Sequence, residues 1–288
     1  MNRNYLLKDG ILVPTIPIQH REDEYNEEGF ETLFDMQKRH FWYKGRHRFL
    51  IHSVKHFLNK ERENKKVNQS NLYSMIDLGG GVGGWVNYLS KHLENYISTL
   101  ALADSSLKAL NLAESVISSE TSRFQVDLMK LQMKEEWDVA FLLDVIEHLP
   151  DDIEAMKQTA EALKPGGYLF VTTPAFQEFW SYNDDMANHI RRYNQNDYVN
   201  LAKESGLKLC DARYFMFYLS PLYIISRLIK NIEKMTLEEK KALVINQHKI
   251  PPKMINDLLT MIFSLETPIG HWLKFPWGTS ILGVFQKP

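Results

Sequence analysis

A single cysteine, Cys210, stands in 288 residues, which excludes an internal disulfide and any zinc site built from several thiolates. That usage fits a reducing compartment, and a cytoplasmic location is expected. Long apolar runs are missing as well. The most apolar stretch, Tyr214–Ile229, is interrupted by Pro221 and Arg227 and falls short of the roughly 20 residues a membrane helix needs. Met1–Asp9 carries charge with no apolar core after it, so no signal peptide is read there. Charge of one sign is not in excess either: 34 Lys and Arg face 36 Asp and Glu, a net charge of −2. No global basic field therefore draws the chain to nucleic acid. The dense basic run Lys60–Lys66 is interleaved with Glu61 and Glu63 and reads as a solvated helix end or loop. Internal repeats and low-complexity tracts are absent. What is present is an ordinary globular composition, 44% hydrophobic and 24% charged, long enough to bury a full core. A monomer or homodimer acting on a small molecule is expected.

Pro14, Pro17 and the acidic run Arg21–Glu28 make the first forty residues read as an irregular arm. Leu50, Val54, Phe57 and Leu58 recur at helical spacing, which predicts a helix over His40–Leu58. A polar linker, Asn59–Asn71, follows. Strands and helices then alternate, with strands at Tyr73–Leu78, Ile97–Ala103, Arg123–Val126, Asp138–Leu143 and Tyr168–Thr172. Trp85, Val86, Leu89 and Leu93 mark the buried face of one intervening helix. Asp151 with Glu154 forms a capping box for another, which Lys164-Pro165-Gly166-Gly167 stops. Apolar strands spaced by amphipathic helices argue for an α/β parallel sheet covered on both faces. A helix over Asp197–Ser205 ends at Gly206. Leu207–Phe215 and Ser280–Gln286 are the last two strands, separated by a helical insertion. The expected organisation is an N-terminal arm and helix (1–71), a main α/β domain (72–216 with 279–288) and the insertion (217–278).

The sharpest signal is Asp77-Leu78-Gly79-Gly80-Gly81-Val82-Gly83-Gly84. A strand running into a glycine turn and then a helix lets a ligand approach the backbone, because no Cβ intervenes. Gly79, Gly81 and Gly84 formally satisfy G-x-G-x-x-G, so the glycines alone do not choose a ligand. Asp77 helps to choose: a carboxylate at the strand end disfavours pyrophosphate and suits a ligand with a cationic amino group and a sulfonium. Asp104, at the end of the next strand, stands where a carboxylate meets ribose hydroxyls in doubly wound folds. Asp127 ends the third strand and is a weaker candidate for the adenine amino group.

Taken in order, Asp77-x-Gly79-x-Gly81-x-Gly83, Asp104, Asp127, Asp144-Val145-Ile146-Glu147-His148-Leu149 and Leu163–Gly167 resemble class I S-adenosylmethionine-dependent methyltransferases. The likeness covers roughly Leu72–Phe215. It implies a Rossmann-like, doubly wound seven-stranded sheet of order 3-2-1-4-5-7-6, with strand 7 antiparallel. It also implies that Asp77 and Gly79, Gly81 and Gly83 hold the methionine part of the donor and Asp104 the ribose. Asp127 and Leu128 would hold the adenine, with Asp144 beside the methionine end, and S-adenosylhomocysteine would be the product.

A second cluster follows the fifth strand: Trp180, Tyr182, Asp184, His189, Arg191, Arg192 and Tyr193. Loops beyond the carboxyl ends of such strands form the rim of the active site. With His40-Phe41-Trp42-Tyr43-x-x-Arg46, the segment Asp184–Tyr193 is similar to a subgroup of these methyltransferases. The similarity implies that Trp42 and Arg46 lie on a helix folded over the donor as a lid. Transfer to a hydroxyl needs the acceptor's proton removed, and histidine is the natural base. His189 is the first candidate and His148 the second. His52 and His56 lie one helical turn apart without an acidic or thiolate partner, so no metal is expected. Two other readings stand beside this one. A nicotinamide-dependent (NAD(P)) reductase on a similar sheet is weakened by Asp77 and by the lack of a Tyr-x-x-x-Lys pair among 13 tyrosines. A non-catalytic binding subunit is weakened by the complete donor-side residues.

Overall fold

The computed structural model describes residues 4–18, 29–64, 72–228, 235–236, 238–239 and 249–288. Its strands are β1 (Tyr5–Lys8), β2 (Ile11–Pro14), β3 (Tyr73–Leu78), β4 (Ile97–Asp104) and β5 (Ser122–Gln125), then β6 (Trp137–Leu143), β7 (Leu163–Pro174), β8 (Lys208–Phe215) and β9 (Ser280–Gln286). Its helices are α1 (Gly29–Arg39), α2 (Phe41–Asn64), α3 (Gly84–His92), α4 (Leu107–Ala113) and α5 (Asp152–Ala162), then α6 (Tyr182–Met186), α7 (Gln195–Ser205), α8 (Ser220–Leu228) and α9 (Lys253–Trp272).

One sheet holds all nine strands in the order β1-β2-β5-β4-β3-β6-β7-β9-β8. From β5 to β7 the neighbours run parallel, and β9 is antiparallel to both β7 and β8. The segment β5-β4-β3-β6-β7-β9-β8 reproduces the expected seven-strand order. The sheet is nonetheless larger than expected, because β1 and β2 form a hairpin that joins β5 in parallel at Leu12 and Phe124. Asp9 and Gly10 turn that hairpin with φ of 48° and 75°. Asp-Gly is the pair that such two-residue turns favour, so the reading of this region as irregular is corrected.

Successive residues of the central strands serve opposite layers, as the period of two requires. Ile76, Ala140, Leu142 and Leu169 face Met156, Tyr198 and Leu201 of α5 and α7. Met75, Val139, Phe141 and Phe170 face Phe49, Val54, Trp85 and Phe263 of α2, α3 and α9. The helix predicted over His40–Leu58 runs on to Asn64 and takes up the first part of the expected linker. The remainder of that linker, the acidic run 21–28 and much of the insertion lie outside the described residues.

Three local details differ from the sequence reading. Asp151 caps α5 by accepting the Glu154 N–H at 2.9 Å, but the Glu154 carboxylate accepts from Gln158 at 2.8 Å instead of closing the box. Strand β7 begins at Leu163, so Lys164–Gly167 opens a strand as well as ending a helix. The apolar stretch from Tyr214 divides into the buried end of β8 and helix α8, which exposes Leu222 and Ile225.

The insertion helix α9 packs on α2. Phe263, at 0% exposure, lies so close to Gly45 that a Cβ there would collide with its ring. Asn256 ties the α1–α2 junction, accepting the Phe41 N–H at 2.9 Å and donating to the Arg39 carbonyl at 2.8 Å. No helix among the described residues is long and apolar enough to cross a membrane.

Candidate active site

The carboxyl ends of β3, β4, β6 and β7 converge, and each contributes an acidic residue or a loop. After β3 the chain turns through Gly79, Gly81 and Gly83 with φ of 73°, 57° and 78°, a region side chains with a Cβ avoid. A Cβ on Gly79 would come within 2.7 Å of Val145, and one on Gly80 would strike the Asp77 carboxylate. The turn therefore requires glycine both for its backbone angles and for its closeness to Asp77.

Asp77 is 1% exposed, and its Oδ1 has no hydrogen-bond partner among the described residues. Burial pushes its carboxyl up to about 7, Arg46 draws it down and Asp104 raises it further. A buried carboxylate oxygen left without a donor is costly until a cation or donor reaches it. This is the feature that fits a ligand's ammonium group. Asp104 has a positioning task in the same turn: its Oδ2 accepts the Gly81 N–H at 2.8 Å and its Oδ1 the Ser106 N–H at 2.9 Å. Asp127 begins a 3-10 turn by accepting the Met129 N–H at 2.9 Å, with Leu128 buried behind it.

Arg46 of α2 pairs with Asp144, which also accepts from the Thr172 hydroxyl at 3.2 Å. The guanidinium lies 4.7 Å from the Trp42 ring and 5.2 Å from that of Tyr43, close enough for cation–π attraction. Trp42 and Arg46 thus act together at the end of β6. The helix over the glycine turn, however, is α1. Gln37 Oε1 accepts the Gly84 N–H at 2.8 Å, Phe30 packs with Val82 and Ala109, and a Cβ on Gly81 would meet Leu33 at 3.3 Å. The covering role expected for the following helix falls mainly to a segment read as irregular. A groove of about 490 Å³, lined by Phe34, Lys38, His47 and Arg48 among others, opens beside Val82 and Gly84.

On helix α6, Asp184 is 1% exposed and gathers five donor groups. Arg192 binds it in a fork, Nε to Oδ1 at 2.8 Å and Nη2 to Oδ2 at 2.9 Å. The Ser181 N–H and hydroxyl reach Oδ2, and His189 Nδ1 lies 2.8 Å from Oδ1. Burial alone would raise this carboxyl, but the bonds from His189 and Arg192 outweigh it and hold it well below the usual range. Arg192 and Tyr193 face inward as supports of the loop. Arg192 also donates to the Ala175 carbonyl, and the Tyr193 hydroxyl donates to Asp152 at 2.7 Å. Arg191 pairs with Asp152 at 2.8 Å, Trp180 donates to Asp185 at 2.9 Å, and Tyr182 is buried.

His189 and His148 come from different loops, yet their ring centroids are 4.7 Å apart. Glu147 joins them: one carboxylate oxygen and one nitrogen of each ring lie within 4.8 Å of one another. Glu147 is 0% exposed, and neither carboxylate oxygen has a hydrogen-bond partner among the described residues. Burial and then Asp144 raise its carboxyl well above the usual range, against a pull from Arg46 and Arg192. Burial pushes His148 down to about 4, with His189 adding to the shift, so its ring is neutral near pH 7. Sequence reasoning passed over Glu147, although it stands in the same motif as His148; its burial is a tertiary fact. Gln37 was also missed, and no spacing marks it.

Residues 41–212 match the family described as a methyltransferase domain. The chain belongs to that family. A ubiquinone biosynthesis O-methyltransferase of Nitrosospira multiformis is 28% identical over 139 residues, which are 46% of this chain and 58% of that protein. An Oryza sativa protein named "Probable tocopherol O-methyltransferase, chloroplastic" is 25% identical over 193 residues, 65% of this chain and 49% of its own. The chain spans about half the length of the curated relatives it matches. Among solved structures, a Haloferax volcanii chain described as a methyltransferase, in complex with the Trm112 activator, is 15% identical with a TM-score of 0.57. The match covers 94% of this chain and all of that one. Haemonchus contortus phosphoethanolamine N-methyltransferase 2 has a TM-score of 0.51 at 16% identity, covering 76% of this chain and 49% of that one. These likenesses show that the methyltransferase domain carries the fold of solved methyltransferases.

Proposed function

We propose that the chain moves the methyl group of S-adenosylmethionine to a hydroxyl oxygen of a small organic acceptor. The observation that carries this reading is the buried Asp77 carboxylate, whose Oδ1 has no hydrogen-bond partner among the described residues, behind a turn that only glycine can make. Asp77 would accept the donor's ammonium group, with Gly79, Gly81 and Gly83 presenting backbone to its methionine part. Asp104 would face the ribose, and Asp127 with Leu128 the adenine. Bound there, S-adenosylmethionine would supply a methyl carbon open to in-line attack by the acceptor oxygen, with sulfur as the leaving group. Helix α1 keeps water from the turn. His189, oriented through Nδ1 by Asp184, takes the hydroxyl proton on its other ring nitrogen. "O-methyltransferase" in the names of the curated relatives supports oxygen as the acceptor atom.

Calorimetry with S-adenosylmethionine and S-adenosylhomocysteine should show one site per chain. His189→Asn should keep that binding and lower kcat by about 10²–10⁴-fold on a hydroxylated acceptor, the range for a lost general base. Tight binding of NADH with no heat from either sulfur compound would overturn the reading in favour of a reductase.

A further inference from the structure

The cluster of Glu147, His148 and His189 has the composition of a cation site. One carboxylate and two imidazoles are a common donor set for first-row divalent metals, with positions left open for water or substrate. Three features of this cluster go beyond composition. Glu147 is wholly buried, and both its oxygens lack a hydrogen bond from any other described residue, so they are available to a ligand. His189 presents Nδ1 to Asp184 at 2.8 Å, and this carboxylate–histidine pairing is how proteins orient a metal-binding ring and leave its second nitrogen outward. His148 is hydrogen-bonded to the backbone of Asn188 and Ala187, the other common way of fixing such a ring.

The ligand atoms lie within 4.8 Å of one another, whereas neighbouring ligands around a cation at about 2.1 Å stand about 3.0–3.5 Å apart. His189 sits on the loop after α6, with its side chain 18% exposed, so closing the set to ligand spacing falls to that loop. Asp144 is already committed to Arg46, and Asp184 to Arg192. Glu147 is therefore the acidic ligand the cluster has to offer.

We propose that Glu147, His148 and His189 bind one divalent cation of the first transition row, such as Zn²⁺, Co²⁺ or Mn²⁺, facing the acceptor. Its use in catalysis rests on the methyl-transfer reading, but its binding does not. A cation at this place lowers the pKa of a hydroxyl it touches. The proton then passes to water, the oxygen pair forms the C–O bond, and the C–S pair returns to sulfur. His189 becomes a ligand in that state and serves as base only when the cation is absent.

The test uses the full chain, stripped with EDTA and returned to chelator-free buffer. Co²⁺ is titrated by visible absorption, and Zn²⁺, Mg²⁺ and Ca²⁺ by calorimetry. One Co²⁺ or Zn²⁺ per chain is expected, with His189→Asn and Glu147→Gln each weakening it at least tenfold. Asp184→Asn should weaken it about 10–100-fold, the range for partners behind a ligand. If Glu147→Gln fails to fold, His189→Asn carries the comparison. No saturable binding overturns the proposal. So does binding that both variants leave unchanged, or a preference for Mg²⁺ or Ca²⁺ over Co²⁺. Heat from S-adenosylmethionine with none from the metals removes the cation alone; metal binding with no heat from S-adenosylmethionine removes the donor reading alone.

Discussion

Burying Asp77 with no donor on Oδ1 among the described residues makes its ionisation costly near neutral pH and easier once a cation arrives. Its carboxyl stands at about 7, and the charged form is the one that binds an ammonium group. Affinity for S-adenosylmethionine should therefore climb as pH rises toward 7 and level off above it, up to tenfold per pH unit for a single proton. Calorimetry between pH 5.5 and 8.5 measures this, and Asp77→Asn should flatten the profile while weakening binding at pH 8 by at least about tenfold, or 1.4 kcal/mol. Stability of the unliganded chain has the opposite sense. An acid whose pKa is raised on folding favours the folded state at low pH, and this contribution is lost as pH passes from the ordinary carboxylate range through about 7. The glycine turn behind Asp77 was legible in the sequence because its backbone demands are local. Glu147 was not, because only its surroundings distinguish it from any exposed glutamate.

Helix α1 shows what a short element can do through one side chain. Its buried residues are Phe30 and Met36, and Gln37 supplies the acceptor for the Gly84 N–H at the start of α3. An α-helix leaves its first N–H groups without partners, so a glutamine reaching across from another helix replaces a local cap. Gln37→Ala should cost about 1 kcal/mol, the net worth of a hydrogen bond. Hydrogen exchange should show the amides of α1 opening faster than those of α7, whose own Asn194 capping box is untouched. Unchanged protection of α1 would mean that packing of Phe30 holds it without the glutamine. No sequence pattern announced this contact, since the two residues lie 47 apart.

Across the whole molecule, α9 binds the N-terminal helices to the sheet. Phe263 fills the space opposite Gly45, Asn256 spans the α1–α2 junction, and Glu266 accepts the Tyr218 N–H at 3.1 Å beyond β8. Gly45→Ala should force α2 and α9 apart at a cost of about 1–3 kcal/mol, typical of overpacking. Because Arg46 is the next residue, the same change should disturb its pair with Asp144 and weaken S-adenosylmethionine binding. A melting temperature and a dissociation constant both equal to wild type would show that α9 does not control the position of α2.

The alternation of apolar strands and amphipathic helices, the glycine turn after Asp77 and the acidic strand ends are written in neighbouring residues. Periodicity and backbone sterics act over a few residues, so the strands and helices of the central sheet and the glycine turn were legible in the amino-acid order, while the order of the strands came from the family resemblance. The added hairpin was also signalled locally, by Asp9-Gly10, but a two-stranded edge gains its stability from β5 and not from itself. Only the folded chain decided which helix covers the turn and that Arg192 and Tyr193 point inward. It alone brought Glu147, His148 and His189 together. Those outcomes depend on which distant groups remain unpaired once the core has closed, and no window of sequence contains that count.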